Sequence, residues 1–248
     1  LRGDDIVQPY IGGVPSYGIF SSIGLFCMMM ILYLRNKKLS FGEYLFLMAS
    51  MIIGVGIGSK LLFFITQIPD IIANFSIKYL IKKIITSGFV FYGGLFGAII
   101  GCIVFSRLRN YDVRKMLNYV APGYSIFHAC GRIGCFFSGC CYGKEATWGL
   151  PLWNEPETLR IPVQLIEAIF LLSMTLFLLI LEKKGKSNIF EIYLVGYAIF
   201  RFIIEFWRGD KLRGIWICFS TSQWISIIII ISFILCRATK IYRKTSKK

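Results

Sequence analysis

The sequence predicts an all-α integral membrane protein of about seven transmembrane helices, with its N-terminus outside and its C-terminus inside. Three observations carry that prediction. Of the 248 residues, 56% are hydrophobic and the mean hydropathy is +0.67, whereas soluble domains hold roughly 45–50% apolar residues. The apolar residues also come in blocks of about the 20 residues that a bilayer requires. Lysine and arginine, which bring the formal net charge to +15, collect mostly between those blocks. In a soluble protein such a charge would suggest nucleic acid. Here its placement points to topology and to anionic membrane lipid, and no nucleic-acid partner is expected.

The blocks place spans at about 14–35, 43–67, 88–106, 116–141, 162–181, 189–207 and 219–236. The stretch DIIANFSIKYLIKKII, at about 70–85, is too basic to cross, and its apolar positions recur at helical spacing, so it reads as an interfacial segment. A basic cytoplasmic tail is expected over about 237–248. With no internal repeat and no soluble domain in the sequence, residues 1–248 read as a single transmembrane domain. The chain opens at Leu1 without methionine or a signal-peptide layout, so a processed or cut start is expected.

Orientation follows from the basic loops. With the N-terminus outside, the inner side carries Arg35, Lys37, Lys38, Arg107, Arg109, Arg114, Lys115, Lys183, Lys184, Lys186 and the tail from Arg237 onward. These outnumber the outward set, which favours this orientation, although Lys78, Lys82 and Lys83 weigh against it. The ionisable residues inside spans are Lys60, His128, Arg132, Glu167, Arg201 and Glu205. Lys60, Arg132, Arg201, Glu167 and Glu205 then fall in outer halves, with His128 nearer mid-depth. A charge in hydrocarbon costs at least ~2.5–3.5 kcal/mol, so such residues normally face protein or a wet cavity. A polar cavity open towards the outer leaflet is expected.

The segment HACGRIGCFFSGCCYG, residues 128–143, holds the only histidine in the chain. On a continuous helix His128, Arg132, Cys135 and Gly139 share one face. That face suits an anion site with a nearby acid or base, or else small-residue packing with Arg132 paired to a glutamate. In FRFIIEFWRGD, Arg201 and Glu205 are an i, i+4 pair and Arg208 adds another turn. Arginine grips phosphate bidentately and keeps its charge. Three arginines exceed what the nearby glutamates would neutralise, which favours phosphate over a buried salt bridge. Tyr92 before Gly93 and Gly94, and Tyr17 before Gly18, carry little alone, because glycine in an apolar helix usually means packing.

Eight cysteines occur. Cys27, Cys102, Cys218 and Cys236 sit in apolar stretches, where a thiol behaves as a small hydrophobe. Cys130, Cys135, Cys140 and Cys141, with His128, lack the C-x-x-C pairing of zinc sites, so no metal and no cofactor is expected. A thiol redox centre stays open as an alternative.

Several motifs in order resemble the prolipoprotein diacylglyceryl transferase family. VPSYG resembles that family's Tyr-Gly near the first span. GVGIGSKL resembles its glycine-rich segment ending in arginine, with Lys60 in the arginine's place. FYGGLFG resembles its HGGL motif, and GRIGCFFSGCCYG its signature GR-x-GNF-x-NGE-x-x-G. IPVQLIE resembles HPSQLYE and so places Gln164 and Glu167. YAIFRFIIEFWR resembles YGxFRFxxEFxR almost residue for residue.

The resemblance implies seven spans with the N-terminus outside in a bacterial cell membrane. It implies transfer of diacylglyceryl from phosphatidylglycerol to the lipobox cysteine thiol of exported preproteins, releasing glycerol phosphate. It also implies catalytic roles for Arg201, Tyr92 and Glu205, while a catalytic role for His128, as a substitute base, is expected from the residues themselves. Headgroup binding would fall to Arg132, Arg208, Tyr17, Lys60, Gln164, Glu167, Cys135, Gly93 and Gly94. The departures concern proton transfer. Tyr92 stands for the histidine of HGGL, Cys135 and Ser138 for the signature asparagines, and Cys140 for the signature glutamate. A phenol with pKa near 10 is a poor base at neutral pH, and His128 is the only imidazole left. A lipid transferase with another acceptor, a cysteine redox protein and a non-catalytic lipid-binding relative are the alternatives.

Overall fold

A computed structural model describes residues 10–11, 13–35, 39–73, 76, 81, 91–152, 155–210 and 215–245. Seven long helices follow the expected blocks. They are α1 (Ser16–Arg35), α2 (Phe41–Thr66), α3 (Phe91–Leu108), α4 (Val113–Phe137), α5 (Val163–Lys183), α6 (Ile189–Ile204) and α7 (Thr221–Thr245). Within the described residues, α1, α2, α5 and α7 are long and apolar enough to cross a membrane. The others are shorter or carry polar residues: α4 holds His128 and Arg132, and α6 has only 16 residues. Large apolar side chains such as Phe26, Ile57, Ile100, Ile169, Leu176 and Ile228 lie exposed on the helices. That is the surface a lipid-facing helix presents.

Two boundaries move. The fourth helix stops at Phe137 rather than continuing to 141, because Gly139 adopts φ +66. Cys140 N–H then donates to the Cys135 carbonyl at 3.1 Å and Gly139 N–H to the Phe136 carbonyl at 3.1 Å. This is a Schellman stop, with glycine in the left-handed position that a side chain disfavours. Gly139 therefore ends the helix and does not extend the face of His128 and Arg132. The last helix runs on to Thr245, so the basic stretch from Arg237 is helical that far. Of the interfacial segment, only a short helix over Ile68–Ala73 and isolated residues are described; the rest of that expectation lies outside the described residues.

Short hairpins close several loops. They pair Tyr10–Ile11 with Val14–Pro15, Glu145–Leu152 with Glu155–Arg160, and Ile215–Trp216 with Phe219–Ser220. The middle one lies between the fourth and fifth expected spans. Arg160 ties it, bridging Glu145 at 3.1 Å and Glu155 at 2.8 Å while lying over the Tyr142 ring.

The chain forms two compact units, Arg35–Tyr119 and the remainder, Leu1–Leu34 with Val120–Lys248. In the smaller unit α2 and α3 pack backbone to backbone. A Cβ on Gly54, Gly58, Gly93 or Gly97 would run into the facing main chain. A capping box of Ser40 and Glu43 starts α2. In the larger unit, a Cβ on Gly24 of α1 would sit 2.7 Å from the Cys130 Cβ of α4. The Ser125 hydroxyl donates to the Leu171 carbonyl at 3.0 Å, tying α4 to α5. A second capping box, Ser220 with Gln223, starts α7.

Candidate active site

Glu167 is the centre of the larger unit's polar core. It comes from the second turn of α5, and its side chain is only 2% exposed. One carboxylate oxygen pairs with Arg132 Nη2 of α4 at 2.6 Å and with Arg201 Nη1 of α6 at 3.2 Å. The other accepts the Tyr197 hydroxyl at 2.7 Å and lies 3.8 Å from His128 Nε2. A single acid therefore gathers one cation from each of two other helices. Buried charges persist only with such partners.

The cluster continues along α6. Arg201 Nη2 reaches Glu205 at 2.8 Å, the i, i+4 pair expected, and donates to the Ser222 hydroxyl of α7 at 3.3 Å. Glu205 opens a 3-10 turn over Glu205–Trp207, which carries Arg208 round to 4.0 Å from the same carboxylate. Arg208 itself is clamped bidentately by Asp210, at 2.9 Å and 2.6 Å. This corrects the charge count made from sequence. Arg132, Arg201 and Arg208 face Glu167, Glu205 and Asp210, so these three arginines are matched by three carboxylates. The excess of cation disappears because Asp210 had not been counted. Arg132 nonetheless keeps a buried Nε that has no hydrogen-bond partner among the described residues.

His128 packs edge-on against the Tyr197 ring, with centroids 4.8 Å apart, and its Nδ1 lies 3.5 Å from the Tyr193 hydroxyl. Tyrosines and Glu167 thus enclose the imidazole. Tyr193, Tyr197 and Asp210 were missed by the sequence reading. The helical spacing 193, 197, 201, 205 was the available signal for the two tyrosines, since it puts them on the face of Arg201 and Glu205.

Gln164 donates to the Cys140 carbonyl at 2.8 Å and so holds the turn after α4 against the start of α5. Tyr17 of α1 packs over Gly134, where a Cβ would stand 3.2 Å from the ring, and has Arg132, Cys135 and Cys140 as electrostatic neighbours. The segment after the cysteines is laced to the Arg208 turn. Lys144 N–H donates to the Trp207 carbonyl at 2.8 Å and Gly209 N–H to the Tyr142 carbonyl at 2.9 Å. The remaining candidates belong to the smaller unit. Lys60 is half-buried on α2, and Tyr92 is 3% exposed and stacked on Phe96. Gly93 and Gly94 have packing roles there, against Gly58 and Ser59.

Comparison with known proteins agrees with the motif order. A family model described as prolipoprotein diacylglyceryl transferase matches residues 9–239. The phosphatidylglycerol–prolipoprotein diacylglyceryl transferase of Clostridium tetani is 37% identical over 225 residues, 87% of this chain and 88% of that protein. Transferase 2 of that name from Clostridium perfringens is 32% identical over 230 residues, 89% of this chain and 88% of its own. The one from Dehalococcoides mccartyi is 29% identical over 206 residues, 77% of this chain and 76% of its own.

Proposed function

The chain belongs to the prolipoprotein diacylglyceryl transferase family, and on that premise we propose that it moves diacylglyceryl from phosphatidylglycerol to the lipobox cysteine thiol of exported preproteins. The acceptor sulfur forms a thioether with the glyceryl carbon, and glycerol phosphate leaves with the electrons of the broken C–O bond. The observation that carries this reading is the convergence of Arg132 and Arg201 on Glu167 inside a buried core. Arginines held by carboxylates are preorganised for a phosphate, and charge that grows on a leaving phosphate is stabilised at no further ordering cost.

Arg201 and Arg132 hold the phosphate, helped by Arg208 once Asp210 yields. Glu167 and Glu205 orient the guanidinium groups, while Tyr17, Gln164 and Cys135 line the same end of the larger unit. Tyr92, Lys60, Gly93 and Gly94, in the smaller unit, are assigned to headgroup binding by their motif positions alone. The proton of the acceptor thiol must also leave, and His128, which faces Glu167 at 3.8 Å, and Tyr92 are the side chains offered to take it. The enzyme is a bacterial membrane transferase; its place is the plasma (inner) membrane, with the site open to the outer leaflet and phosphatidylglycerol entering laterally among the membrane lipids. The family match across residues 9–239 supports one transferase domain.

The test is a mass-spectrometric assay of purified protein with phosphatidylglycerol vesicles and a lipobox peptide. A diacylglyceryl mass added at the peptide cysteine is the expected result, and Arg201→Ala should lower its rate by about 100-fold or more. No added mass, with lipid binding intact, would overturn the transferase reading. Near-normal transfer by the Arg201 variant would overturn the phosphate clamp.

A further inference from the structure

Transfer to a thiol needs that thiol deprotonated, and neither His128 nor Tyr92 is well placed to do it. His128 is enclosed by tyrosines and Glu167, and Tyr92 carries a phenol. Cysteines stand where the resembled signature has an asparagine and a glutamate. The structure brings three cysteines together: the sulfurs of Cys135, Cys140 and Cys141 all lie within 4.8 Å of one another. The spacing alone hides this, because Cys140 and Cys141 would point away from Cys135 on a continuous helix. The Schellman stop at Gly139 folds them back. Cys141 is itself held at φ 59, a left-handed conformation that is strained for a non-glycine residue and collects at functional sites.

We propose that Cys135, Cys140 and Cys141 form a three-thiolate site for a thiophilic d10 divalent cation of the zinc type, whose fourth position takes the acceptor thiol. Four sulfurs around a tetrahedral ion with Zn–S bonds of about 2.3 Å stand roughly 3.8 Å apart, so the cluster needs to close by about an ångström. All three cysteines are free, and Cys140 and Cys141 are only partly buried. Arg132 and Arg208 are electrostatic neighbours of Cys141. They offset the negative charge of a divalent ion with three thiolates.

The second half of the proposal rests on the transferase reading. On binding, the three protein thiols release their protons to solvent. The acceptor thiol releases its own when its sulfur takes the fourth position. The bound thiolate then attacks the glyceryl carbon, the C–O bond to phosphate breaks, and glycerol phosphate leaves with that electron pair. The thioether product is a poor ligand and departs. No side-chain base is required.

The test uses the full chain in detergent, read first by elemental analysis. Wild type should hold about one zinc per chain, Cys135→Ser and Cys141→Ser should lose most of it, and the exposed Cys218→Ala should keep it. Independently of any variant, zinc should protect these three thiols from alkylation, as mapped by mass spectrometry. In cobalt-substituted protein, a lipobox peptide should raise the sulfur-to-metal charge-transfer band by roughly a third, four sulfurs for three. The same peptide with serine for cysteine should not. Unprotected thiols, metal retained by both serine variants, or a disulfide among the three cysteines in the active protein would overturn the site. A band unmoved by the peptide while transfer proceeds would overturn the open position. Metal bound and responsive to peptide, but no diacylglyceryl transfer, would support the metal site and refute the transferase reading.

Discussion

In the smaller unit α2 and α3 meet through glycines, main chain against main chain, whereas in the larger unit α4, α5 and α6 meet through one carboxylate and two arginines. Both arrangements answer the same difficulty: lipid offers no hydrophobic drive to bring helices together. The glycine seam gains close van der Waals contact. The charged core carries a large desolvation penalty that ion pairing offsets, and the pairing places guanidinium groups where a phosphate could use them. A helix contact that could have been made with glycine but was made with charge is a reason to look for function there.

The comparison can be broken at its most sensitive point. Glu167→Ala leaves Arg132 and Arg201 buried without their shared partner, and should destabilise the protein by about 3–5 kcal/mol, read as a fall in the unfolding midpoint in detergent. Tyr197→Phe removes one hydrogen bond to that carboxylate and keeps the ring. A bond to a charged group is worth about 1.5–3 kcal/mol, so a clear but smaller fall is expected in the same measurement. An unchanged midpoint would mean that the tyrosine does not support the acid.

The seam offers the matching tests. Gly97→Ala drives a methyl into the Gly54 main chain, and overpacking of this kind costs about 1–3 kcal/mol. A stable alanine variant would show that the two helices are free to part. The smallest effect lies in the larger unit but outside its charged core. Ser220→Ala removes the capping box of α7 and should cost about 1 kcal/mol, visible as faster amide exchange in the helix's first turn.

Much of this architecture was legible in the chain. Runs of apolar residues placed seven helices to within several residues, except that the last runs on to Thr245, because the bilayer sets a length that composition must match. The i, i+4 spacing joined Arg201 to Glu205, and motif order named the family before any distance was known. Misreadings came where side-chain partnership depends on a turn. Asp210, two residues beyond Arg208, neutralises it only because the 3-10 turn and the following extended residue fold the carboxylate back.

By itself, then, the sequence determined the membrane class, the helices and the residues that must hide from lipid, since each follows from local composition and period. Only the tertiary structure decided that Glu167 would be shared by two arginines and ringed by Tyr197 and His128. It also decided, through the left-handed glycine at 139, that three cysteines would face one another. Such meetings depend on where separate helices stop and cross, and a linear pattern carries no term for that.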